Sequence, residues 1–236
     1  MIAAIWEHNG CDTLLYARDY PGAFARGVNL EIALGKLPCD AASFCLWAHW
    51  DLPQDSSCVV VQEKPSDLAI RDADSDVIFD SEMDPMTWEE YEILRHLALR
   101  SAADFLALYR SIPNPDQSIL LPRSTFYGER PRTAREMLTH TQSVNDYYFG
   151  EIHVDADHTG DILSCRQRAF STLEGIPDFL TRPVEKGSYG EFWSLRKVLR
   201  RFLWHDRIHA KAMYRMACQT FGADAVPDIF CFGGLK

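Results

Sequence analysis

The sequence lacks the features that define several classes of protein. It has no apolar run near the roughly 20 residues that cross a bilayer, so we expect no membrane-spanning segment. The start, MIAAIWEHNG, has neither the cationic region nor the long apolar region of a secretory signal. No CxxC pair occurs among the seven cysteines, which leaves a cysteine-built zinc site without support. We therefore expect a cytoplasmic protein whose thiols are reduced and mostly buried.

Positive charge is also scarce. The chain has 24 Lys and Arg against 34 Asp and Glu, a formal net charge of −10 that repels phosphate backbones. We therefore do not expect nucleic acid as a partner. One basic cluster stands out, formed by Arg196, Lys197, Arg200, Arg201 and Arg207. We interpret it as a solvated helix face, in preference to a phosphate or acidic-ligand site, because charged helix faces are common.

The first part of the chain, residues 1–82, has the pattern of a small α+β domain. Four β-rich runs are separated by turn residues, and they are Ile2–Glu7, Thr13–Arg18, Cys58–Gln62 and Val77–Asp80. One helix begins after Asn29, which is a suitable N-cap, and contains Pro38, which should kink or split it. The order strand, strand, helix, strand, strand predicts a small antiparallel sheet covered by one helix.

The second part, residues 86–236, has helical periodicity and ends in a C-terminal tail. The spacing predicts four helices, from Trp88 to about Ser111, from Thr133 to about Ile152, from about 161 to 174 and from about 191 to 220. Two long loops rich in proline and glycine connect them. This order predicts an all-α four-helix bundle that follows the α+β domain.

Three of the eight histidines interrupt apolar helix faces. His205 and His209 are four residues apart, so both project from the face of the last helix that should point inward. His140 lies beside the apolar stripe of the second helix. A buried imidazole needs a partner for each nitrogen, and a shared metal ion provides one for each ring. The alternative is a set of core histidines bonded to tyrosine, aspartate or backbone groups, and spacing alone does not choose between them.

Two helical segments resemble a known superfamily. The stretch 131–152, PRTAREMLTHTQSVNDYYFGEI, is similar to the second helix of the DinB-like superfamily, and 198–217, VLRRFLWHDRIHAKAMYRMA, is similar to its last helix. The resemblance covers about 86–220. It implies a metal-binding four-helix bundle whose ligands are His140, His205 and His209. Members include thiol S-transferases and a thiol-dependent isomerase, so the resemblance implies a site and leaves the substrate open.

The first part resembles the HicB-like antitoxin fold, although through shorter motifs. The segments DYPGAFARGVNLEIALGKL and DSDVIFDSE are similar to its strand, Pro-Gly turn, helix and closing strand. The resemblance implies a partner protein, usually a small toxin. Because helices occupy the place of the usual DNA-binding tail, we interpret this part as a small domain used for dimerisation or for shaping the cleft of the bundle.

The function we expect is that of a metal-dependent enzyme, similar to a thiol S-transferase, that activates a low-molecular-weight thiol or water. The divalent ion would be zinc first, with nickel or iron as alternatives, and a small-molecule thiol or other small substrate would be the partner. Tyr147 would donate a hydrogen bond to a developing anion, and Glu136 would orient His140. The alternatives are a non-catalytic metal-binding or ligand-binding regulatory module, and a HicB-like antitoxin relative that acts through protein contacts. The expected assembly is a homodimer.

Overall fold

The structure is a computed structural model that describes residues 1–233. The chain forms two compact units. The first contains Met1–Ser81 together with the segment that begins at Phe230, and the second contains Glu82–Ile229. Within the described residues, no helix combines the length and the apolar character that crossing a membrane requires.

A four-stranded sheet forms the centre of the first unit. Its strands are β1 (Ile2–Asn9), β2 (Asp12–Ala17), β3 (Phe24–Gly27) and β4 (Cys58–Pro65). The order across the sheet is β3-β2-β1-β4, with β1–β2 and β2–β3 antiparallel and β1–β4 parallel. The prediction of an antiparallel sheet is therefore wrong, and the sheet is mixed. The reason is that a helix follows β3 and returns the chain, so β4 runs in the same direction as β1.

The helix of the first unit, α1 (Leu30–Ala48), confirms the predicted helix and its cap. The Asn29 side chain accepts a hydrogen bond of 2.9 Å from the backbone N–H of Ile32. Pro38 lies inside the helix without splitting it. The helix packs on β2 and β3 through a buried face that includes Leu37 and Phe44.

The segment after β4 differs from the prediction. Val77–Asp80 does not form a strand, because side chains take the place of a strand ladder. The Glu7 carboxylate accepts hydrogen bonds from the backbone N–H groups of Asp76 and Val77, at 3.0 and 3.2 Å. The Gln62 amide donates to the carbonyl of Ile78 at 3.0 Å. The third strand is instead β3, which the sequence pattern did not predict.

The second unit is mainly helical. Its helices are α2 (Trp88–Ser111), α3 (Ala134–Gln142), α4 (Val144–Gly150), α5 (Ile162–Glu174) and α6 (Leu195–Phe221). Two short ladders lie in the loops, β5 (Ser124–Thr125) with β6 (Gly128–Glu129) and β7 (Glu185–Lys186) with β8 (Phe192–Trp193). The helix predicted from Thr133 to about Ile152 is two helices that meet at Ser143. The region therefore has five helices, and its description as a four-helix bundle stays a prediction.

Packing in the second unit places α6 at its centre. Helices α2, α3 and α4 all contact α6, and α2 also contacts α5. Aromatic side chains fill the space between these helices, including Tyr148, Phe149, Phe170 and Phe202, each at most 2% exposed. The contacts between these rings connect α4 with α5 and α6.

The basic cluster on α6 is buried, so its interpretation as a solvated helix face is wrong. Lys197 and Arg200 are 0% and 3% exposed, and each has an acidic partner. The ammonium group of Lys197 lies 2.8 Å from Glu191, and Arg200 forms a buried ion pair with Glu82. These carboxylates come from loops outside α6. A single helix pattern therefore gives no sign that the charges will be paired.

The cysteines are less buried than predicted. Of the seven, only Cys45 and Cys165 are buried. Cys11 and Cys39 are exposed. The prediction of mostly buried thiols is therefore wrong.

Candidate metal centre

Helices α3 and α6 bring the three predicted histidines together. A capping box fixes the start of α3, in which the Thr133 side chain accepts from the backbone of Glu136 and the Glu136 carboxylate accepts from the backbone of Thr133. His140 lies in the last turn of this helix. His205 and His209 follow each other on the inward face of α6, with His205 only 7% exposed.

The three imidazole rings form a compact triangle. The centroid distances are 5.3 Å between His140 and His205, 4.6 Å between His140 and His209, and 4.5 Å between His205 and His209. One nitrogen of each ring lies within 4.8 Å of those of the other two. Bonds of about 2.0–2.1 Å at tetrahedral angles place ligand nitrogens about 3.3 Å apart, so small ring movements suffice for one ion.

Burial favours the neutral form of His140 and His205, which is the form that binds metals. Burial lowers the pKa of His140. Burial also lowers the pKa of His205 well below its usual value, and the neighbouring His209 and His140 lower it further. The Nδ1 atom of His205 is buried and has no hydrogen-bond partner among the described residues. An unpartnered buried nitrogen costs free energy unless a donor or a metal ion satisfies it.

A buried ion pair lies beside the site on α6. Asp206, next to His205, pairs with Arg166 through bonds of 2.5 and 3.1 Å, and both side chains are 0% exposed. Arg166 also donates to the carbonyl of Ala98 at 3.1 Å and lies over the ring of Phe202. The pair connects α2, α5 and α6, so it fixes the position of the helix that carries two of the histidines.

An aromatic side chain that the sequence analysis did not identify covers His140. Tyr127 lies between β5 and β6, at a hairpin whose Gly128 has a φ of 108°. Its ring stacks on His140 with a centroid distance of 5.6 Å and an interplanar angle of 25°. Stacking on the ring face leaves the edge of His140 open, and the lone pair that binds a metal ion lies in the ring plane at that edge. The loop has no periodicity, so only the adjacent aromatics Phe126 and Tyr127 before a glycine could have indicated it.

The two remaining predicted residues lie apart from the triangle. The Glu136 carboxylate accepts from the backbone of Arg132 at 2.7 Å and of Thr133, and these N–H groups lower its pKa. Within the described residues it makes no hydrogen bond to His140. Tyr147 contacts the rings of Tyr148 and Trp193, whereas Tyr148 is the tyrosine that contacts His205, at 6.0 Å. The catalytic roles of Glu136 and Tyr147 stay predictions.

Comparison with known proteins adds no relative to this site. No model of a known protein family matches the chain, and neither a curated protein nor a solved structure is similar to it. The support for a metal centre is therefore the geometry of His140, His205 and His209 alone.

Proposed function

We propose that His140, His205 and His209 bind one divalent metal ion, zinc first, and that the protein is a metal-dependent enzyme of the DinB-like type. The observation that carries the proposal is the convergence of three imidazole nitrogens within 4.8 Å. The unpartnered buried Nδ1 of His205 supports it, because a ligand would satisfy that atom.

The composition of the triangle favours catalysis over a structural role. Three neutral imidazoles are the ligand set of several catalytic zinc sites, whereas structural sites use four protein ligands, usually with cysteine. Within the described residues, no carboxylate or thiolate joins the group. A bound ion would supply a lowered pKa to a thiol or a water molecule at the fourth position.

The surrounding residues would favour an anion at that position. Arg201 is 8% exposed and lies over the rings of Tyr148 and Trp204, at 5.4 and 4.8 Å. Its positive charge reaches His205, whose pKa it helps to lower. The same charge would stabilise a thiolate or hydroxide. Tyr127 and Tyr148 would limit the access of water and strengthen this interaction.

Metal content tests the first half of the proposal. We expect about one zinc-sized ion for each wild-type chain by mass spectrometry, after purification and dialysis against zinc. His205→Ala and the triple variant of the three histidines should lose it, because two imidazoles hold a divalent ion poorly. His96→Ala is the control, since His96 is exposed and lies on α2. Equal metal content in the wild type and the triple variant would contradict the proposal.

Thiol transfer tests the second half. The zinc-loaded protein should accelerate the reaction of L-cysteine with 1-chloro-2,4-dinitrobenzene, in which a C–S bond forms, chloride leaves and the thiol proton passes to buffer. The cobalt-substituted protein should show a sulfur-to-metal absorption band when cysteine is added. A metal-loaded protein that shows neither effect would bind metal without activating a thiol, and the hydrolytic role would then be tested with p-nitrophenyl acetate.

A further inference from the structure

A cavity lies in the helical unit, apart from the metal centre, and none of the three histidines lines it. Its volume is about 570 Å³, within the range of small-molecule sites. The lining residues come from α4 and its flanks, from β7 and from the loop that follows β7. The side chains that matter for binding are those of Asp146, Tyr147, Glu151, His153 and Lys186. The cavity begins about one helical turn beyond His140, to whose carbonyl the Ser143 hydroxyl donates at 2.9 Å.

Glu151 is a buried carboxylate in the wall of this cavity. It is 5% exposed, and its Oε2 atom accepts a hydrogen bond of 2.6 Å from the backbone N–H of Ser188. Its Oε1 atom accepts no hydrogen bond from any described residue. Gly187 permits this approach, because a Cβ atom there would lie 1.7 Å from Oε2 of Glu151. The second oxygen of this carboxylate is therefore available to a donor that enters the cavity.

A second carboxylate adds negative charge to the same wall. Asp146 is five residues before Glu151 on the same helical run, and its Oδ2 atom lies 2.9 Å from Nδ1 of His158. Its Oδ1 atom is buried with no hydrogen-bond partner in the described part of the chain. Two carboxylates that share one cavity favour a cation there.

Lys186 supplies a positive charge to the cavity. It is exposed, and its ammonium group forms no ion pair with any described residue. His153, which also lines the cavity, lies 3.8 Å from Glu185. The hydroxyl of Tyr147 has no hydrogen-bond partner within residues 1–233, and can donate or accept. The lining therefore offers acidic groups, one free ammonium group and neutral polar groups.

We propose that this cavity binds a small zwitterion, a molecule with a primary ammonium group and a carboxylate, as in an amino acid or a short peptide. Glu151 receives the ammonium group, and Asp146 adds attraction. Lys186 pairs with the carboxylate, and Tyr147 supplies a neutral hydrogen bond. The site needs no metal ion, so the proposal is independent of the function proposed for the three histidines.

Trialanine and two of its derivatives test the ligand chemistry on the wild-type protein. N-acetyl-trialanine lacks the ammonium group, and trialanine amide lacks the carboxylate. Titration of metal-free protein, followed by calorimetry and by NMR, should show binding of trialanine. Acetylation should weaken it at least about tenfold, and amidation should weaken it less, because Lys186 is solvated. Absence of binding, or equal binding of trialanine and its acetylated form, would overturn the proposal.

Variants then locate the site. Glu151→Gln should weaken the binding of trialanine as much as acetylation does, and Lys186→Met as much as amidation. Asp155→Asn is the matched control, because Asp155 is an exposed acid near α4 that does not line the cavity. The triple histidine variant should bind trialanine like the wild type. Loss in that variant, or in Asp155→Asn with an unchanged circular dichroism spectrum, would place the ligand elsewhere.

Discussion

Two consecutive stretches of α6 bury polar groups in opposite ways. In residues 196–201, two buried cations have carboxylate partners from outside the helix, Glu191 for Lys197 and Glu82 for Arg200. One turn later, His205 is equally buried, but its Nδ1 atom has no hydrogen-bond partner among the described residues. The protein pairs the charges of Lys197 and Arg200 with its own carboxylates, but within the described residues it provides no partner for Nδ1 of His205.

The difference indicates which polar groups stabilise the fold and which serve a ligand. A buried ion pair is costly to break once formed, because removing one partner strands a charge. A neutral imidazole costs less to bury, and burial lowers the pKa of His205, which favours its neutral form. The histidine stretch should therefore contribute little to stability and much to binding.

The largest effect is expected where a charge is stranded. Asp206→Ala leaves Arg166 buried without its carboxylate, and we expect a loss of about 3–5 kcal/mol in the free energy of unfolding, measured in urea. In the metal-free protein, His205→Ala should cost clearly less. Equal losses would remove the distinction between the two kinds of buried group.

An exposed pair of the same kind is the control. Arg135 and Asp116 pair at 2.5 Å, but their side chains are 55% and 60% exposed. Asp116→Ala should therefore change the unfolding midpoint far less than Asp206→Ala, because solvent already screens the pair. A comparable shift would show that burial is not the cause.

The next effect concerns Glu7, a buried carboxylate of the first unit that forms no ion pair with a cation among residues 1–233. Its ionisation should change the free energy of unfolding by no more than the loss of Asp206 does. Burial raises the pKa of Glu7 from 4.5 to about 7, against the opposing hydrogen bond from Ser75. The folded state then holds a proton that the unfolded state has lost. The stability is fully present below pH 4.5 and falls as the pH rises to about 7, by roughly 3 kcal/mol in total.

Urea unfolding between pH 4.5 and 8 measures this slope. Glu7→Gln should flatten it, because the amide does not ionise. Glu31→Gln, a substitution at an exposed acid of the same unit, should leave the slope unchanged. A slope that survives in Glu7→Gln would assign it to other groups.

The smallest effect is expected at the ring that stacks on His140. Tyr127→Ala should weaken zinc binding only a few-fold, because stacking orients the imidazole without binding the ion, and such contacts contribute about 0.5–1.5 kcal/mol. Tyr127→Phe should retain the wild-type affinity, measured by competition with a chelator. A loss in Tyr127→Phe as large as in Tyr127→Ala would instead assign the effect to the hydroxyl.

Helix periodicity placed the three histidines on the apolar faces of two helices, whereas their shared site was expected only from the resemblance to a known superfamily. Thr133 and Ser194 cap α3 and α6 through their side chains, and the apolar stripes between them put His140, His205 and His209 on facing surfaces. These are local signals, because a helix repeats every 3.6 residues and its cap lies next to it. The inward direction of the three histidines could therefore be predicted from the sequence pattern, but their distances from one another could not.

Partners that are distant in the sequence were not within reach. The parallel pairing of β4 with β1, the acids that meet Lys197 and Arg200, and the approach of Tyr127 to His140 all depend on where loops return. The segment Val77–Asp80 shows the same limit. It has the residues of a strand, but the backbone N–H of Val77 donates to the Glu7 carboxylate instead of to a neighbouring strand. The strand propensity of a segment does not indicate that a distant side chain will bind its backbone groups.

The close approach of Gly187 to Glu151 has an evolutionary consequence. Any side chain at position 187 would collide with the carboxylate of Glu151 and with the ring of Trp193, so substitutions at the three positions should be linked. In relatives of this protein, a residue other than glycine at 187 should occur with residues smaller than glutamate at 151 and tryptophan at 193. Sequences that keep all three residues should be those in which this part of the structure is maintained.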